Sequence, residues 1–210
     1  MQIREILENK HVTFCFGRLN PPHFGHEGLL KTVKDNAEET GGDWYIFASK
    51  SHDNKKNPLD YETKVQWLLK LFPWIEGHLI VDPTIRTILQ AADWLRSQGY
   101  TSATLVAGED DMETMGNLLK AYNGKESSHG EYRFDPLNFR ISPRLTSATN
   151  ARAAAENGDE AAFQKATRVD SKAKVNGMTL FQATQKGLEK PVKVPKAKAA
   201  PKTKTPKNPK

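Results

Sequence analysis

Val12-Thr-Phe-Cys-Phe-Gly17-Arg-Leu-Asn-Pro-Pro-His23-Phe-Gly25-His26 joins a short apolar run to the start of a helical pattern. Val12–Phe16 is β-branched and aromatic, and Gly17 bounds it, as in a strand buried on both faces. Pro21 and Pro22 stiffen the exit and set the earliest helix start near His23. From His26 to Ala37, Leu29, Leu30 and Val33 fall on one helical face. The same alternation continues outward. Trp44–Ala48, Leu79–Asp82 and Thr104–Ala107 read as strands, and a last strand lies within Leu137–Ile141. Helices are predicted over Asp60–Phe72, Thr84–Ser97, Asp110–Tyr122, Ala148–Asn157, Asp159–Ala166 and Val175–Leu188. Strand–helix alternation of this kind predicts an α/β fold, Rossmann-like, with a doubly wound parallel sheet of about five strands. Ligands of such sheets bind beyond the carboxyl ends of the strands, where the strand order reverses. The segments to inspect are therefore 17–26, 49–58, 108–111 and 142–152.

Charge divides the chain differently. Of 210 residues, 31 are Lys or Arg and 25 are Asp or Glu. The last twenty residues, from Pro191 to Lys210, hold seven lysines, five prolines and no acid, which leaves 24 basic against 25 acidic side chains before them. The body is not a basic nucleic-acid-binding domain. Residues 1–188 are expected to form one α/β domain, and residues 189–210 a disordered Lys/Pro-rich tail with too little apolar surface to offset ordering entropy. The tail's cations suit weak, salt-sensitive binding to polyanions. The single cysteine, Cys15, excludes an intramolecular disulfide and fits a reducing compartment and a small buried side chain. No apolar run reaches the ~18–20 residues a membrane span needs, and Met1–Lys10 lacks the core of a signal peptide. A cytoplasmic protein without membrane partners is expected.

His23 and His26, three apart in a first helical turn, share a face. Free N–H groups and the positive dipole end there suit an anion, phosphate in particular. Gly25 removes a side chain where a ligand would approach, and Gly17 gives the backbone freedom as it leaves the strand. The bland alternative is a pair of ordinary loop histidines; the position at the first strand–helix turn favours the site. Asp110 follows a strand end at a ligand-facing position, where it can contact substrate or metal or cap a helix. His78, His129 and the four tryptophans (Trp44, Trp67, Trp74, Trp94) read as packing or solvated residues. Spacing for a zinc site is absent, because Cys15 stands alone.

The His23-Phe-Gly25-His26 segment resembles the HxGH signature of the nucleotidylyltransferase superfamily, which includes cytidylyltransferase-like and adenylyltransferase enzymes. Thr146-Ser147-Ala148-Thr149-Asn150-Ala151-Arg152 resembles that superfamily's late ISSTxxR motif, with Ala148 in place of a hydroxyl and Ala151 in place of a larger apolar residue. Ser51-His52-Asp53-Asn54-Lys55-Lys56-Asn57-Pro58 is similar to the S-H-x-x-x-x-N-P stretch of archaeal-type nicotinamide-mononucleotide adenylyltransferases. Val106-Ala107-Gly108-Glu109-Asp110-Asp111, followed by Tyr122-Asn123-Gly124-Lys125, looks closer to phage-encoded cytidylyltransferase-like proteins, with Asp111 adding negative charge.

The resemblance implies transfer of a nucleoside monophosphate from ATP or CTP to a phosphorylated acceptor, nicotinamide-mononucleotide-like or another, with release of pyrophosphate. It implies that His23, His26 and Arg152 are catalytic, and that Gly17, Arg18, Gly25, Lys55, Lys56, Ser147 and Thr149 bind nucleotide phosphates. Magnesium is expected to arrive with the triphosphate rather than occupy a dedicated protein site. Relatives often form homo-oligomers. A competing class is a phage structural or accessory protein, in the host cytoplasm or the virion, that keeps the fold and binds nucleic acid or an acidic partner through its tail. A dinucleotide-dependent oxidoreductase is excluded, since the first loop has no G-x-G-x-x-G.

Overall fold

A computed structural model describes residues 10–143 and 148–189. Ser147 and the predicted tail from residue 190 onward lie outside them. The elements in chain order are β1 (His11–Gly17), α1 (Glu27–Thr40), β2 (Asp43–Ala48), α2 (Tyr61–Leu71), β3 (Leu79–Ile80), α3 (Ile88–Ser97), β4 (Ser102–Gly108), α4 (Glu109–Tyr122) and β5 (Leu137–Ser142). Then come α5 (Ala148–Glu156), α6 (Glu160–Thr167), a small hairpin of β6 (Lys174–Val175) and β7 (Met178–Thr179), and α7 (Leu180–Leu188). Short 3-10 turns at Phe24–His26 and Pro73–Ile75 complete the described chain.

The five-stranded sheet is parallel throughout, in the order β3-β2-β1-β4-β5. Side chains alternate between its faces. Val12 and Phe14 pack under α3 and α4 with Leu89, Leu95 and Leu119, whereas Cys15 and Ile46 pack under α1 and α2 with Leu30, Val33 and Leu68. The sheet is thus doubly wound, as expected. Cys15 is 1% exposed, and burial pushes its thiol up to about 12. A third cluster joins α5, α6 and α7 to Leu59 and to Trp67 of α2.

Buried polar contacts fix the layers. The Asn36 amide on α1 donates to Thr13 Oγ1 at 2.8 Å and accepts from Arg140 Nη1 at 2.8 Å, tying that helix to both β1 and β5. His78 stacks on Trp44 at 3.6 Å and bonds to its carbonyl, a packing role, as the sequence indicated.

Two boundaries correct the sequence reading. The helix predicted over Val175–Leu188 begins only at Leu180, because Asn176 (φ 51°) and Gly177 (φ 79°) form the tight turn of the β6–β7 hairpin. Apolar spacing across Val175, Met178 and Leu180 imitates a helix and hides that Asn-Gly signal. The helix predicted from Thr84 starts at Ile88, where Thr87 and Gln90 cap each other reciprocally.

The final turn of α7 lies against the backbone that follows β2. An added Cβ at Gly187 would sit 1.8 Å from the Pro58 carbonyl oxygen. Gly187→Ala, which would favour an exposed helix, is therefore expected to destabilise by about 2–4 kcal/mol. Thermal melting should register a drop of roughly 5–10 °C; an unchanged or raised midpoint would mean that α7 is not seated on Pro58.

Candidate functional site

The order β3-β2-β1-β4-β5 places the switch point between β1 and β4. Their register ends at Phe14↔Leu105, yet β1 continues to Gly17 and β4 to Gly108. The strands part there, and a cavity of about 310 Å³ opens over the gap. Gly17 and Gly108 line it, and a Cβ on Gly108 would meet nothing within 4 Å. At Gly17 it would make only ordinary contact with Leu19, at 3.5 Å. The left-handed residue of the loop is Leu19 (φ 46°), so Gly17 supplies space rather than the conformational freedom expected of it.

His23 caps the 3-10 turn in an extended conformation and is 1% exposed. Its ring stacks on that of His26, centroids 3.9 Å apart and 24° from parallel, so the two do share a face. The His23 backbone N–H donates to His26 Nδ1 at 3.3 Å. An accepting Nδ1 carries no proton, so in the neutral ring the proton resides on Nε2. His26 therefore offers Nε2–H as a donor.

Three further segments close the cavity. Arg152 on α5 donates through Nη1 to the Asn20 carbonyl at 3.1 Å and through Nη2 to Thr149 Oγ1 at 3.0 Å. Burial, then the nearby Arg18 guanidinium, lower its pKa, while Asp53 opposes the shift. Two guanidiniums lining one cavity favour an anion between them. Lys56 lines the same cavity; Lys55 does not, so the structure brings one of the two predicted lysines to the site. Gly25, Asp110, Thr149 and the departures Asp111 and Ala148 line it as well. Ala151 instead packs among the helices of the third cluster. Gly108 is the N-cap of α4, which places Glu109, Asp110 and Asp111 in its first turn. Asp110 therefore does not cap the helix. These acids complement the helix dipole and add carboxylate oxygens, hydrogen-bond acceptors, to the cavity. Among the described residues, no group of three or more His, Cys, Asp or Glu is arranged to hold a metal ion.

Sequence reasoning passed over three supporting residues. Asn20, 2% exposed, donates Nδ2 to the Leu59 carbonyl at 2.8 Å and accepts the Leu59 N–H at 3.1 Å, fastening one loop to the next. Nothing in its local sequence announces this. Asp53 accepts the N–H groups of Lys55 (2.8 Å) and Lys56 (2.6 Å), an Asx-type turn that its spacing could have suggested. Lys64 shares the apolar face of Tyr61, Val65 and Leu68 on α2, a visible anomaly in the pattern. Its ammonium is fully buried and donates to the Ser49 carbonyl, and the Ser49 N–H donates to the Gly17 carbonyl at 2.7 Å. The ends of β1 and β2 are thereby held together beneath the cavity.

The doubly wound sheet thus brings a histidine pair, an arginine and a lysine together at its switch point, and the chain is a weak homologue of an adenylyltransferase. It is 25% identical over 123 residues to a probable nicotinate-nucleotide adenylyltransferase of Fervidobacterium nodosum, a match covering 52% of this chain and 53% of that protein. The chain thus spans about half the length of the curated relative it matches. No family model matches it. No helix among the described residues is long and apolar enough to cross a membrane.

Burial lowers the Lys64 pKa to about 8, so between there and the unfolded value of 10.5 the unfolded chain holds more protons. Stability from this group accordingly rises with pH across that window. Lys64→Met removes the term. Chemical denaturation of both proteins should show the wild type gaining about 3 kcal/mol on the variant between pH 8 and 10.5. Parallel curves would show that water reaches the ammonium in the native state.

Proposed function

We propose that this chain is a nucleotidylyltransferase that transfers a nucleoside monophosphate from a nucleoside triphosphate to a phosphorylated acceptor. The observation that carries the reading is the stacked His23–His26 pair, with its Nε2–H donor, in the crevice where β1 and β4 separate. An acceptor phosphate oxygen attacks the α-phosphorus in line. The bond from that phosphorus to the bridging oxygen breaks, and pyrophosphate departs with its electron pair. The attacking phosphate is already anionic, so no general base is required, and catalysis consists of alignment and charge stabilisation.

In this scheme His26 Nε2–H and His23 donate to the α-phosphate and the departing oxygen. Arg152, Arg18 and Lys56 balance phosphate charge, with Thr149, and Ser147 from the adjoining segment, as hydroxyl donors. Gly17, Gly25 and Gly108 leave room for the nucleotide. Asp110 and Asp111 would be the carboxylates to hold a magnesium ion brought by the triphosphate, which would supply charge neutralisation on the phosphates. An adenylyl donor is favoured by the relative's name, and a pyridine mononucleotide is the first acceptor to try; a cytidylyl donor with another phosphorylated acceptor is the alternative. The seven-lysine tail adds a polyanion contact that the transfer reaction does not need.

Pyrophosphate release with magnesium, ATP or CTP and a panel of phosphorylated acceptors tests this reading. The wild type should turn over with at least one pair. His26→Ala should lose about 10²–10³ in kcat, the usual cost of removing one donor to developing charge. No release across the panel, with no nucleotide binding by calorimetry, would overturn it.

A further inference from the structure

Resting on that function, we propose that Asp53 is a positioning residue that holds Lys56 against the phosphates bound in the cavity. Lysine carries a long, mobile stem, and an exposed loop gives it no fixed origin, so such a side chain binds an anion weakly unless its backbone is held. Here the backbone is held. One Asp53 carboxylate oxygen accepts two successive N–H groups, those of Lys55 and Lys56, and the other accepts the Asn57 amide. The Asp53 N–H donates to the Asn57 carbonyl at 3.0 Å, closing the turn on itself. These donors keep the Asp53 carboxyl at about 2, so the clamp stays charged at any working pH. Two residues beyond Asn57, Asn20 grips both backbone groups of Leu59, and Arg152 grips the carbonyl of Asn20. The turn is therefore tied to the loop that carries the histidines. Within it the two lysines are separated by role: Lys56 reaches the cavity wall, and Lys55 stays outside.

The opposing possibility is that Asp53, close enough to act on Arg152, repels phosphate directly. The two differ in sign. Calorimetric titration of the full chain with magnesium–ATP and with inorganic pyrophosphate should show about tenfold weaker binding for Asp53→Ala and for Lys56→Ala. The double variant should be no weaker than Lys56→Ala alone, since a positioning residue has nothing left to position. A general loss of structure would instead add to the Lys56→Ala effect and lower the melting temperature. Should Asp53→Ala not fold, Asp53→Asn, which keeps an acceptor for the two N–H groups, replaces it, with binding expected within threefold of wild type. Additive losses, or tighter binding by Asp53→Ala, would overturn the inference while leaving the transferase reading intact. A wild type that binds neither ATP, CTP nor pyrophosphate would remove the reading and the inference together.

Discussion

The separation of β1 from β4 after the Phe14–Leu105 pair is the constraint on which the other features depend. A sheet ordered β3-β2-β1-β4-β5 sends its first crossover one way and its third the other. The chain segments leaving β1 and β4 therefore diverge, and nothing in the sheet fills the space between them. Both strands end in glycine at that point, so the opening reaches backbone. The polar groups described at the cavity arrive on the proline-stiffened loop after β1, the first turn of α4, the end of β5 and the start of α5, joined by Lys56 from the segment after β2.

Freed loops must then be fixed by something other than the sheet, and the structure uses few contacts for it. Asn20 joins the first loop to the segment after β2, Arg152 joins it to α5, and Lys64 reaches from α2 to bring the ends of β1 and β2 together. Each of these groups is polar; Asn20 and Lys64 sit where burial makes an unmade hydrogen bond costly, of the order of 1–3 kcal/mol, and Arg152 is half-buried. The histidine stack belongs to the same scheme, because the His23 backbone fixes the ring of His26 and, with it, the nitrogen that bears the proton.

The sheet and its two layers were legible in the sequence because buried parallel strands must be apolar throughout, and Val12–Phe16, Trp44–Ala48 and Thr104–Ala107 are nearly so. The histidine pair was legible because residues three apart at a helix entry fall on one side, although His23 joins it as the extended cap of the turn. Contacts set by tertiary approach were not. The choice of Lys56 over Lys55 follows from a turn that Asp53 organises across three residues, and the work of Asn20 depends on a segment 39 positions away. The hairpin before α7 escaped for a different reason: two periodicities overlap there, and Asn176-Gly177 decides in favour of the strand. Lys64 broke the apolar pattern of its helix in plain view, but only the position of the Ser49 carbonyl gives the break a meaning.

Cys15 offers something else. It is the chain's one cysteine, 1% exposed in the central strand two residues before Gly17, with α1 and α2 closed over its face of the sheet. With its thiol pushed up to about 12, almost none of it is thiolate at neutral pH, and a disulfide reagent meets neither a nucleophile nor an approach. Reaction requires the helical layer to lift from the middle of the sheet. The molecule thus carries its own clock for opening of its centre, read through a single sulfur and needing no introduced label.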